Sequence, residues 1–142
     1  MHTAYLLLGG NMENREKMLQ QALDSLQELG RITSVSIQKE TEPWGFETPV
    51  NDFLNQAVCL ETELSPEELM EKCLDIEKKL GRVRNKTSYE SRLIDIDILL
   101  YDRVKMNTKN LVLPHPRLKE RPFAIELLKE ILPKNLSLED FY

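Results

Sequence analysis

The 142-residue sequence is short of several things, and each shortage removes a class of protein. Its two cysteines, Cys59 and Cys73, stand alone without metal-type spacing, so both read as reduced core thiols. No apolar stretch nears the roughly 20 residues that span a bilayer. The run Ala4 to Leu8 has no basic segment before it, so no signal peptide is expected and the chain reads as cytoplasmic. Lysine and arginine (19) are outnumbered by aspartate and glutamate (24). The resulting net charge of −5 argues against the clustered positive surface that displaces counterions from nucleic acid. Internal repeats, low-complexity tracts and linkers are also missing. What is left is one ordinary domain over residues 1–142, expected to be a monomer, whose 41% hydrophobic content suits a sizeable core.

Strand and helix patterns alternate along the chain. Thr3 to Leu8 reads as a buried strand, with Gly9, Gly10 and Asn11 turning the chain. From Glu13 to Leu29 the positions Met18, Ala22, Leu26 and Leu29 recur at helical spacing, and Gly30 is the expected stop. Ile32 to Lys39 alternates as a half-exposed strand, and a loop with Pro43, Trp44, Gly45, Phe46 and Pro49 follows. Phe53 to Leu60 resumes as a strand. Ser65, Pro66 and Glu68 supply a cap, a first-turn proline and a capping-box acid for a helix that ends near Gly81. After a polar loop, Leu93 to Tyr101 is the strongest strand, with a short strand at Leu111 to Leu113 and a helix over Phe123 to Leu132. This β-α-β-β-α-β order predicts an α+β, ferredoxin-like α/β/α sandwich with a mainly antiparallel sheet.

The sharpest chemical signal is Leu93-Ile94-Asp95-Ile96-Asp97-Ile98-Leu99. On a strand Asp95 and Asp97 share one face while Ile94, Ile96 and Ile98 take the other. Either the acids face water on an amphipathic strand, or they hold a hard cation such as Mg²⁺, which takes one or two carboxylates plus substrate phosphates. Arg82, Arg84, Lys86 and Arg92 precede them, with Lys78 and Lys79 upstream. Such a loop suits a polyphosphate, with arginines for its oxygens, or else forms salt bridges to the two acids. Strict alternation puts Arg92 on the isoleucine face, so it can serve only if the strand begins after it. Pro114-His115-Pro116 frames a histidine, with Arg121 following, and Phe53 and Asn55 share a strand face on which a flat heterocycle could stack.

Assembled in order, these residues resemble the 6-hydroxymethyl-7,8-dihydropterin pyrophosphokinase family of folate biosynthesis. The resemblance runs through Leu8-Gly9-Gly10-Asn11, the loop Thr41, Pro43 and Gly45, Phe53-Leu54-Asn55, Glu77, and Gly81-Arg82-Val83-Arg84. It continues through Arg92-Leu93-Ile94-Asp95-Ile96-Asp97, Pro114-His115-Pro116, and Glu120-Arg121 with Phe123. Ser88, Tyr89 and Glu90 depart from the signature's basic residue, aromatic and glycine, leaving Tyr89 as the candidate aromatic, and Leu74 stands where some members carry glutamine. The resemblance implies transfer of a pyrophosphoryl group from ATP, the co-substrate, to the pterin hydroxyl, with AMP leaving. It further implies two Mg²⁺ ions on Asp95 and Asp97, and a catalytic set of Arg82, Arg92, Asp95 and Asp97. ATP would meet Glu77, Arg84, Arg92, Ile98, His115 and Arg121. The pterin would meet Thr41, Pro43, Trp44, Phe53, Asn55 and Phe123. Segments 41–52 and 82–92 are expected to close as lids. The rival reading is a non-catalytic ferredoxin-like ligand-sensing module, which has no use for paired acids beside arginines.

Overall fold

The computed structural model describes residues 1–10, 15–41, 53–81 and 94–142. Strands β1 (His2–Gly10), β2 (Gly30–Val35), β3 (Lys39–Thr41), β4 (Phe53–Thr62) and β5 (Ile94–Tyr101) form one antiparallel sheet in the order β2-β4-β1-β5, with β3 continuing beside β4. Helices α1 (Arg15–Leu26) and α2 (Pro66–Gly81) join β1 to β2 and β4 to β5. Counting β2 and β3 as one interrupted strand, this is the ferredoxin-like arrangement expected from the element order. A third helix, α3 (Pro122–Ile131), covers the opposite face, and a two-stranded ribbon, β6 (Met106–Asn107) with β7 (Val112–Leu113), follows β5.

Period-two alternation divides the core between two faces. Leu6, Leu8, Leu54, Val58, Leu60, Ile94, Ile96 and Ile98 pack with Leu19, Ala22 and Leu26 of α1 and with Leu69, Cys73 and Ile76 of α2. Tyr5, Leu7, Ala57, Cys59 and Leu99 pack with Ala124, Leu127, Leu128 and Ile131 of α3. Cys59 and Cys73 are both buried and free, as the sequence led us to expect. The register between β1 and β5 shifts between Tyr5 and Leu6, where Leu99 is the extra residue, and Leu99 and Leu100 both join the α3 face. The buried face belongs to the isoleucines of β5, so its acids are left on the side where α3 covers only part of the sheet.

Several expected boundaries move for identifiable reasons. Gly9 and Gly10 do not turn the chain. They end β1, paired with Asn55 and Leu54 on one side and with Asp95 and Ile94 on the other. Helix α1 closes at Leu26 in a tightened turn, with Glu28 N–H donating to Ser25 C=O and Leu29 N–H to Leu26 C=O. Gly30 therefore does not cap it. It opens β2, where a Cβ would sit 2.0 Å from the carbonyl oxygen of Glu61. The single strand expected over Ile32 to Lys39 breaks after Val35. Ser36 Oγ accepts the N–H of Ala57 at 2.8 Å, and the N–H of Ile37 turns away to Glu130 of α3 at 3.0 Å. Helix α2 starts as read: Ser65 and Glu68 exchange capping-box hydrogen bonds of 2.9 and 3.1 Å.

Candidate active site

The uncovered part of the α3 face is a cavity of about 550 Å³ lined by Gly9, Thr41, Phe53, Asn55, Asp95, Asp97, Arg121 and Phe123, among others. Its floor is Gly9, the residue of β1 that lies between Asn55 of β4 and Asp95 of β5. A Cβ there would approach Asn55 Oδ1 to 3.1 Å, so the missing side chain is what leaves the floor open. Both N–H groups of the Asn55 amide are engaged, donating to the Lys39 carbonyl at 3.1 Å and to Thr41 Oγ1 at 2.9 Å. That fixes the amide orientation and turns Oδ1 toward Gly9 as an acceptor. Phe53 stands at the start of β4, and Phe123 enters from the first turn of α3, positioned by Pro122 at the helix start.

Asp95 and Asp97 line this cavity together, as the alternation required. Arg121 Nη1 donates to Asp97 Oδ2 at 3.3 Å, and His115 Nε2 lies 4.0 Å from Asp97 Oδ1. His115 is tied at two points: its N–H donates to the Leu99 carbonyl at 2.9 Å, and its Nδ1 accepts the N–H of Arg117 at 3.1 Å. The ring proton of the neutral form therefore sits on Nε2, the atom facing Asp97. Burial lowers the His115 pKa, and the nearby Arg121 and Arg117 charges act in the same direction against Asp97, which raises it. The imidazole is thus neutral near pH 7 and offers one N–H donor.

A second cavity, of about 320 Å³, opens on the outer side of β5 and is lined by Leu74, Glu77, Ile96, Asp97, Ile98, Lys109, Asn110 and His115, among others. Asp97 lines both cavities. Among the described strands β5 is the sheet edge, so the backbone groups it does not share with β1 face this second space. Glu77 accepts one of them, the N–H of Ile96, at 2.6 Å.

Residues 5–133 match the family model of 7,8-dihydro-6-hydroxymethylpterin-pyrophosphokinase. The chain belongs to this family. It is 41% identical over 137 residues to a 2-amino-4-hydroxy-6-hydroxymethyldihydropteridine pyrophosphokinase of Porphyromonas gingivalis, covering 94% of this chain and 92% of that one. It is 41% identical over 130 residues to the Bacillus subtilis protein of the same name, covering 90% of this chain and 77% of that one. In fold it is similar to a triple mutant of Plasmodium falciparum HPPK-DHPS, with TM-score 0.75 and 17% identity. The match covers 99% of this chain but 44% of that one, so this chain spans less than half the length of that solved chain.

Of the site residues expected in this pyrophosphokinase family member, Asp95, Asp97, Arg121, Thr41, Phe53, Asn55 and Phe123 gather at the larger cavity. Glu77, Ile98 and His115 gather at the smaller one. Pro43, Trp44, Arg82, Arg84 and Arg92, with the two proposed lids beyond Thr41, lie outside the described residues. Strand β5 is described from Ile94 onward, so the condition set on Arg92 also lies outside the described residues. Sequence reasoning quoted Gly9 and Glu120 in the resemblance without giving them a site role, and missed Leu7, Arg117 and Pro122 at the larger cavity and Lys109, Asn110 and Leu111 at the smaller. Arg117 was within reach, since it falls in the same basic stretch as Arg121 just after His115. Gly9, quoted in the resemblance but read with Gly10 and Asn11 as a turn, was not, because only the pairing of β1 with β4 and β5 makes it a floor.

The acids also fit the metal that the family resemblance implies. Two carboxylates on one strand face, with the Asp97 side chain 34% exposed, form an all-oxygen donor pair open to the cavity. Among the described residues no group of three or more His, Cys, Asp or Glu converges. A pair of this kind suits Mg²⁺, which keeps substrate phosphates and water in its shell, better than it suits zinc.

Proposed function

We propose that the cavity over Gly9 holds 6-hydroxymethyl-7,8-dihydropterin, that the cavity outside β5 holds the adenosine of ATP, and that the polyphosphate crosses between them at Asp97. The chain, as a pyrophosphokinase of folate biosynthesis, transfers the pyrophosphoryl group of ATP to the pterin and releases AMP. The observation carrying this division of the site is that one carboxylate, Asp97, borders both cavities and is itself bordered by Arg121 and His115.

In this reading the pterin ring lies between Phe53 and Phe123, with Thr41, Pro43 and Trp44 beside it. Asn55 Oδ1, its orientation fixed by Lys39 and Thr41, accepts a hydrogen bond from a ring or amino N–H. The purine sits against the β5 edge. There the alternation of the ladder sends the N–H and C=O of Ile98 outward, to the same side as the Ile96 amide. The pterin hydroxyl oxygen bonds to the β-phosphorus, the bond from that phosphorus to the α,β-bridging oxygen breaks, and the hydroxyl proton passes to water. Neutral His115 donates Nε2–H to a phosphate oxygen. Arg121, together with Arg82, Arg84 and Arg92, carries the developing charge on the transferred group and on AMP. Asp95 and Asp97 would hold Mg²⁺, two ions in all, supplying charge neutralisation and alignment of the phosphates.

No helix among the described residues is long and apolar enough to cross a membrane, and the substrates are small molecules. A monomeric chain in the cytoplasm completes the proposal. Phosphorus NMR of the protein with Mg-ATP and the hydroxymethyl dihydropterin tests it. Pterin-dependent AMP together with a new diphosphate ester supports the reading. Formation of ADP or free phosphate, or binding without turnover, defeats it.

A further inference from the structure

Resting on that reading of the site, we infer that Glu77 is a positioning residue. Its carboxylate clamps the Asp95–Ile96 peptide of the edge strand, and so fixes the direction of both acids.

Glu77 lies in the last turns of α2, half-buried beside Cys73 and Ile76, on the face packed against β5. Its Oε2 accepts the N–H of Ile96 at 2.6 Å, a short contact to an ionised acceptor, the kind of hydrogen bond that is stronger than a neutral pair. Ile96 is the one residue between Asp95 and Asp97. In a trans peptide the N–H of Ile96 and the C=O of Asp95 point in opposite directions. One end of that peptide therefore reaches Glu77 while the other faces β1, where Asp95 is registered with Gly9. Neighbouring Ile94 and Ile98 are buried, so their side chains hold the inner face of the strand but say nothing about the tilt of this peptide. An edge strand with an open amide frays and twists more readily than one held on both sides. Any rotation of the 95–96 peptide swings the Cβ directions of both acids. Glu77 opposes that rotation from outside the sheet.

The same hydrogen bond shapes the smaller cavity. Ile96 and Ile98 both line it. With the Ile96 N–H taken by Glu77, that donor is closed to any ligand in this cavity. Glu77 thus acts on the acid pair through the backbone, a role separate from any direct contact with ATP.

The test compares Glu77→Gln, which keeps an acceptor oxygen, with Glu77→Ala, which removes it, in the full chain. NMR amide exchange at Ile96 is read without substrates. Protection is expected in the wild type and in Glu77→Gln and is expected to be lost in Glu77→Ala. In the steady state Glu77→Ala should lower kcat and raise the Mg²⁺ requirement roughly 10–100-fold, the usual scale for a residue supporting metal ligands. The KM for pterin should stay unchanged, and Glu77→Gln should recover most of the loss. Unprotected Ile96 in the wild type overturns the inference, as does a Glu77→Gln variant as impaired as Glu77→Ala. If the wild type releases no AMP, the proposed reaction fails while the exchange measurement still decides the role of Glu77. If Glu77→Ala does not fold, wild-type protection and the Glu77→Gln kinetics remain decisive.

Discussion

Asp97 and Arg121, 24 positions apart in the chain, meet with Nη1 3.3 Å from Oδ2 at the border of two cavities. The pair is partly solvated on both sides, so its contribution to stability is small, about 0–1 kcal/mol. Its value lies in geometry: a carboxylate and a guanidinium are held where a phosphate chain and its cation need partners of opposite sign.

Replacing Asp97 by alanine should therefore damage turnover far more than folding. We expect kcat to fall at least about 100-fold, in line with the loss of a strong electrostatic stabiliser. The thermal midpoint should move by only a few degrees, as for a lost exposed ion pair. Steady-state AMP formation and calorimetry measure both. Near-normal turnover in this variant would refute the role given to the acid pair.

Gly9→Ala places a methyl group 3.1 Å from Asn55 Oδ1, and Asn55 cannot swing aside without giving up its bonds to Lys39 and Thr41. Pterin affinity should fall by roughly tenfold, comparable to losing one good hydrogen bond. ATP affinity should be unaffected, because the smaller cavity is not lined by Gly9. Calorimetric titration with each substrate separates the two effects.

Phe123 sits at the entrance of α3 and is half-buried. Truncation to alanine should weaken pterin binding about tenfold through lost stacking and buried area. It should leave ATP binding nearly unchanged. Equal losses for both substrates would contradict the stacking assignment.

Burial pushes the Tyr5 and Tyr101 phenols up to about 12 from an ordinary value of 10, and the Cys73 thiol up to about 12 from 9. The unfolded chain releases these protons at the ordinary values while the fold still holds them. Their stabilisation is therefore complete below about pH 9 and is lost as the pH climbs through about 12. Urea midpoints should be level from pH 7 to 9 and decline beyond. At pH 8 Cys73 should react with a thiol reagent only once the chain is unfolded; rapid labelling of native Cys73 would show that its burial is misjudged.

The order of strands and helices, the capping of α2, the buried free thiols and the projection of Asp95 and Asp97 from one strand face could all be read from local pattern. Each depends on a period, a cap or a residue type expressed over a few neighbouring positions. The interruption after Val35 and the strand role of Gly30 could not, because long-range partners decide them: Ala57 and Glu130 for the first, Glu61 for the second. The same division holds at the site. Sequence alone supplied the chemistry, namely acids, guanidiniums, an imidazole and aromatic rings in family order. Tertiary structure alone set Gly9 as a floor between two strands, locked the Asn55 amide through Lys39 and Thr41, and placed Asp97 between two cavities. Those facts depend on which strands become neighbours, and pairing across a sheet joins residues that are tens of positions apart in the chain.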